Sequence, residues 1–216
     1  MAVVSSMTLI EDILQFIGAF VSLSIAYVSF KGLRQTDSPS LLRLATAFMF
    51  LGLGFMVEAL VGASYYFPQL AALTTTVVVA GLLLETTGYF FLAFSHAIDV
   101  MISKRLGAAL MVVPVISLTG PQLSDVLSIL SFYFVLYGVV ETLFAYGRNK
   151  RPDTLLIAGG LALIGVGTFI QWLSLLYFQV EVLSLVQIIT KEIGLMILFI
   201  PVLNFATKRV RIDGPV

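Results

Sequence analysis

The 216-residue chain has no cysteine and a single histidine, His96. The first absence excludes disulfides, thiolate metal sites, iron–sulfur clusters and a cysteine nucleophile. The second excludes bis-histidine haem and any multi-histidine metal centre within the chain. Charge is scarce too. Asp, Glu, Lys and Arg make up 11% of the residues, with twelve acidic side chains against twelve basic, where a soluble domain carries about 25%. That balance leaves no basic surface for nucleic acid, and no long polar stretch is present from which to build a soluble catalytic or DNA-binding domain. The opening residues MAVVSSMTLIEDILQF lack a basic n-region and carry Glu11 and Asp12 ahead of the first apolar run, so a cleaved signal peptide is not expected.

What is abundant is apolar. These residues make up 59% of the chain and its mean hydropathy is +1.05. A water-soluble fold of this size has too little interior to hide that surface, so the expected class is an all-α integral membrane protein. A spanning helix needs about 20 mostly apolar residues. Seven segments qualify as candidates: Ile10–Phe30, Leu41–Tyr66, Thr74–Ile98, Leu106–Leu118, Asp125–Tyr146, Leu155–Phe178 and Val182–Thr207. The fourth is short, contains Pro114 and precedes Pro121. It reads as a tilted or thin span, or as a buried helix shielded by its neighbours, and six spans without it is the alternative.

The basic residues decide between these topologies. Cytoplasmic loops collect Lys and Arg. Lys31, Arg34 and Arg43 flank the first connection, Lys104 and Arg105 the third, Arg148, Lys150 and Arg151 the fifth, and Lys208, Arg209 and Arg211 fill the tail. The intervening connections have none. Eleven of the twelve basic residues therefore fall on one side, provided all seven segments cross, with the N-terminus outside and the C-terminus inside. Tyr65, Tyr66, Phe67, Trp172, Tyr177 and Phe178 mark the outer border, and Tyr27, Phe30, Phe144 and Tyr146 the inner one.

The chain also repeats itself. LLRLATAFMFLGLGFMVEALVGASYYF (41–67) is similar to TLLIAGGLALIGVGTFIQWLSLLYF (154–178) at an offset of 113, which aligns Gly52 and Gly54 with Gly165 and Gly167, and Glu58 with Gln171. LLLETTGYFFLAFSHA (82–97) is similar to IITKEIGLMILFIPVL (188–203) at an offset of 106, which aligns Gly88 with Gly194 and Glu85 with Lys191. The expected architecture is a single transmembrane domain in a parallel 3+1+3 arrangement: a three-helix repeat over 8–100, a linking helix over 104–120 and a second repeat over 122–208. The glycines read first as close helix packing.

Lys191 is the one basic residue away from the rim. It lies about ten residues into the last segment, on the order of 15 Å deep, too deep to snorkel. Glu85 reaches a similar depth, at the equivalent repeat position. Opposite charges at matched depth are expected to meet across the two halves, and such residues usually mark function. Gln187 is one turn before Lys191. Glu192 follows it and points about 100° away. Glu58 and Gln171 match each other below the outer border. The candidate ligand or proton site is therefore Glu85, Lys191, Gln187, Glu58, Gln171 and Glu192, with hydroxyls from Thr86 and Thr87. With three carboxylates against one amine, at least one carboxylate is expected to hold a proton. The alternative is that the pair only locks the halves together. Glu141 and the lone interfacial His96 read as structural or incidental, and Pro201 as a kink.

Each half resembles small three-helix archaeal membrane proteins of unknown function. The residues carrying the likeness are Leu41, Leu44, Ala45, Phe48 and Gly52, then Glu85 and Gly88. The 3+1+3 layout is similar to that of microbial rhodopsins. That resemblance implies retinal on Lys191 with Glu85 as counterion, although Gln187 stands where those proteins usually have Asp, Leu82 stands where they have Arg, and the ring-clamping aromatics are missing. It is also similar to SWEET sugar transporters, whose Pro-Gln signature is displaced here to Pro121-Gln122. With no catalytic triad, metal-ligand set or phosphate-cradling loop, no enzyme is expected. The expected function is a sensor or accessory subunit in the plasma membrane of a prokaryote, with a membrane-protein partner or a second copy of itself and no bound cofactor. A small-molecule or proton-coupled transporter and a retinal protein are the alternatives.

Overall fold

The computed structural model describes residues 6–66, 74–94, 120–177 and 181–210. Within them all the regular structure is helical, in six helices: α1 (Ser6–Thr36), α2 (Pro39–Tyr66), α3 (Thr74–Ala93), α4 (Gly120–Asn149), α5 (Pro152–Tyr177) and α6 (Glu181–Val210). All six hold a stretch long and apolar enough to cross a membrane. Their outward faces carry side chains that a soluble protein would bury: Phe20, Phe144 and Tyr27 are 74%, 70% and 69% exposed. Apolar residues all round a helix are the pattern of a membrane span, and a lipid bilayer is the environment this surface fits. The expected fourth segment, Leu106–Leu118, lies outside the described residues, as do His96, Asp99, Lys104 and Arg105.

Two of the connections are built alike. Asp37 follows α1 at φ 50°, and its N–H donates to the Leu33 carbonyl at 2.8 Å. Lys150 follows α4 at φ 48°, and its N–H donates to the Tyr146 carbonyl at 2.7 Å. Both are left-handed C-terminal caps, a conformation usually left to Gly or Asn. The next helix then opens on a proline, Pro39 or Pro152, where the missing N–H would have had no helical partner. These turns gather Lys31, Arg34 and Arg43 of one helix pair, and Arg148, Lys150 and Arg151 of the other, at one end of the bundle.

The helices form a ring. Each packs on its neighbours in the chain, and α6 returns to α1. Two seams in the ring are parallel. On α3 and α4, Leu82 packs with Leu123 and Leu127, Thr86 meets Ser131, Phe90 meets Phe134 and Phe94 stacks on Tyr137, so both chains descend together. On α1 and α6, Gly18 meets Glu192, and Val28 and Ser29 share a cavity of about 300 Å³ with Pro201 and Val202. The apolar core inside the ring draws on every helix, through Ile25, Phe48, Leu51, Tyr89, Val135, Ile164 and Leu195, each below 3% exposed.

Candidate functional site

Close helix approach brings the charges inward. On α2, Gly54 has no side chain, and an added Cβ would lie 2.9 Å from Glu85 Cγ and 3.1 Å from the Glu85 nitrogen. On α5, a Cβ on Gly167 would lie 2.7 Å from Lys191 Cγ and 3.1 Å from the Lys191 nitrogen. Each glycine thus lets a neighbouring helix come close enough to lay a long charged side chain across it. The two side chains meet inside the ring: Lys191 Nζ donates to Glu85 Oε2 at 2.8 Å, with Glu85 wholly buried and Lys191 2% exposed. The Phe55 ring lies 5.7 Å from the same amine, within range of a cation–π contact.

Around this pair the polar groups are incompletely matched. Glu85 Oε1 has no hydrogen-bond partner among the described residues, and neither have Gln171 Oε1, Gln187 Oε1 or both oxygens of Glu192. Glu58 lays its Cγ against Gly81, one turn before Glu85. Glu192 diverges from Lys191, as adjacent helix positions must, and presses its carboxylate against the bare α-carbon of Gly18 on α1. Thr86, next to Glu85, donates to the Leu82 carbonyl at 2.6 Å and lies 2.8 Å from Ser131 Oγ. Thr87 is tied to the Leu83 carbonyl at 2.7 Å, on the exposed side of α3. Glu141 stands on α4 toward the basic end, with its Oε2 unpartnered among the described residues.

The ion pair inferred from the sequence is therefore formed, with Glu58 and Glu192 in its neighbourhood. Five contributors escape a sequence reading. Phe55 is one apolar residue among many on α2, and only its place beside Gly54 hints at the site. Tyr89, 1% exposed, sits one turn beyond Glu85 and faces the same charges. Ser22, Ser128 and Ser131 line buried faces at 1% exposure or less. Ser128 and Ser131, three apart on α4, do carry a readable sign, since small hydroxyls at helical spacing in a span mark a packed face. Trp172, read as a border residue, turns its indole N–H into the protein, where it is buried.

No known protein family matches the sequence, and neither a characterised protein nor a solved structure is significantly similar to it.

Proposed function

We propose that the chain is a duplicated, seven-crossing membrane protein of 3+1+3 layout, N-terminus outside, acting without enzymatic chemistry as a sensor or accessory subunit of a membrane complex. The duplication is supported by contacts that recur at fixed offsets. At 113 residues, Asp37 corresponds to Lys150, Leu33 to Tyr146 and Pro39 to Pro152, which carries the whole α1–α2 turn onto the α4–α5 turn. At 113 and 106, Gly54 on Glu85 becomes Gly167 on Lys191, and Gly88 on Ala47 and Leu51 becomes Gly194 on Gly160 and Ile164. The seventh crossing is supported by the parallel seam. The C-terminal end of α3 and the N-terminal end of α4 lie at opposite ends of the bundle, which favours an odd number of crossings.

The observation that carries the functional reading is the 2.8 Å bond between Glu85 and Lys191. It ties one half to the other at equivalent positions, far from either loop face, and makes a joint through which a change in one half reaches the other. The short turns at the basic end suit a signal that passes to another membrane protein. Purification from the native host in mild detergent is expected to retain a partner in fixed ratio. A lone chain of undiminished stability overturns this reading. The plasma membrane of a prokaryote suits the one-sided basic rim. A proton-coupled carrier is the second reading, favoured by the unpartnered oxygens of Gln171, Gln187 and Glu192. Under it, Glu85→Gln stops pH-dependent flux in vesicles.

A further inference from the structure

The two parallel seams are equivalent under the proposed duplication, yet they are sealed differently. In the α3–α4 seam, Thr86 Oγ1 and Ser131 Oγ stand 2.8 Å apart, and Thr86 is also within 2.6 Å of the Leu82 carbonyl and 3.3 Å of the Leu127 carbonyl. The same offsets carry Thr86 to Glu192 and Ser131 to Gly18. In the α1–α6 seam the short hydroxyl is thus replaced by a long carboxyl side chain, and the opposing serine by a glycine. The Glu192 carboxyl lies where a side chain on residue 18 would begin. It is 3% exposed, and neither oxygen has a hydrogen-bond partner among the described residues. One turn along α1 on the same face, the Ser22 hydroxyl is fully buried and also unpartnered.

An ionised carboxylate in such a place needs donors or a counter-charge. The charged and titratable groups facing it are Lys191 on its own helix and Glu85 and Tyr89 from α3; Glu58 from α2 acts on Lys191 instead. On α1, Gly18 and Ser22 bring no charge. The only nearby amine among the described residues, Lys191, is already bonded to Glu85. No donor among the described residues reaches either Glu192 oxygen, and a buried carboxyl without donors is disfavoured in its ionised form.

We propose that Glu192, seated in the slot left by Gly18, is a proton-binding site of this protein, holding an exchangeable proton at neutral pH in the α1–α6 seam. The neutral acid fills the slot at Gly18 without charge, in the place that the uncharged Thr86–Ser131 contact takes in the other seam. Losing the proton places a bare carboxylate against Gly18 and loosens α1 from α6. The inference rests on the duplication argued above and names the stimulus that a sensor or carrier of this build would read.

The test is carbodiimide labelling of the whole chain in vesicles. Dicyclohexylcarbodiimide enters the bilayer and modifies carboxyl groups only when they are protonated. The adduct is expected on the Glu192 peptide at neutral pH, is lost on raising the pH, and is absent in Glu192→Gln, which keeps the neutral shape and folds normally. The paired change Gly18→Ser with Glu192→Thr rebuilds the contact of the other seam and is expected to fold without label at residue 192. Label on Glu58 or Glu85 with none on Glu192, no label at any pH, or protection by sodium ions, which marks a metal-cation site, overturns the proposal. The labelling reads the site directly. Absence of a partner therefore leaves it standing, and absence of label leaves the joint between the halves standing.

Discussion

If Glu85 and Lys191 hold the halves together by charge, removing one is expected to be far worse than removing both. The atoms are 2.8 Å apart and both side chains are buried. At an effective dielectric constant of about 20, opposite unit charges at that separation attract by about 6 kcal/mol, against a desolvation cost of several kcal/mol for each ion. The net worth of the pair is therefore small, but an ion left alone keeps its own desolvation cost. Glu85→Leu or Lys191→Met alone is expected to destabilise by about 3–5 kcal/mol, and the double change to fall near zero or to stabilise by up to about 4 kcal/mol. The cycle then closes with a coupling of several kcal/mol, above the usual 0.5–3 kcal/mol between contacting residues. Equilibrium unfolding of the purified protein, by titrating denaturing detergent into mixed micelles and following helicity, measures all four corners. If the double variant loses the sum of the two single losses, the side chains act independently and the joint is refuted.

The remaining predictions address the packing, the topology and the lysine. Gly167→Ala drives a methyl to within 2.7 Å of Lys191 Cγ and 2.9 Å of the Gln187 carbonyl, and is expected to cost about 1–3 kcal/mol. Gly159→Ala meets nothing within 4 Å and is expected to stabilise by up to about 1 kcal/mol through helix propensity; thermal unfolding that ranks the two the other way would remove the close approach as the reason for these glycines. Because the chain has no cysteine, single Cys replacements can be probed with a membrane-impermeant maleimide on intact cells. Gln69→Cys and Thr119→Cys are expected to react, and Asp37→Cys, Ser103→Cys and Lys150→Cys only after permeabilisation; equal reactivity of the 103 and 119 variants would leave six crossings. Lys191 Nζ is already bonded to Glu85 Oε2 at 2.8 Å, so added retinal is expected to give no visible absorption band, and a band lost in Lys191→Ala would reverse that.

Much of this was legible in the sequence because the bilayer simplifies the code. Length and hydropathy place α1 to α6 without help from periodicity, and a charge as deep as Lys191 must have a partner, for which Glu85 was the one candidate at the matching repeat position. Direction was legible as well: adjacent residues on a helix diverge, so Glu192 had to leave the face of Lys191. Less was readable where the environment is uniformly apolar. Phe55 and Phe48 look alike in sequence, and only the packing puts the Phe55 ring by the amine. The slot at Gly18 was hidden because a glycine in a span reads as packing, and its aligned partner, Ser131, has meaning only once Thr86 is seen to reach it.

That difference between the seams bears on how such a protein works. A duplicated bundle with identical seams responds to a stimulus symmetrically and gains no direction. Here one seam is closed by two hydroxyls, a contact that does not titrate, and carries the Phe90, Phe94, Phe134 and Tyr137 rings below it. The other is closed by a carboxyl against a bare backbone, and below it lies the 300 Å³ cavity beside Val28, Ser29 and Pro201. On the proton site proposed above, a titratable group and a cavity on the same seam make α1–α6 the interface at which local opening is expected. The Glu85–Lys191 bond meanwhile keeps the two halves joined across the middle. If Glu192 holds the proposed proton, pH is expected to act on the α1–α6 seam and to leave the Thr86–Ser131 seam unchanged.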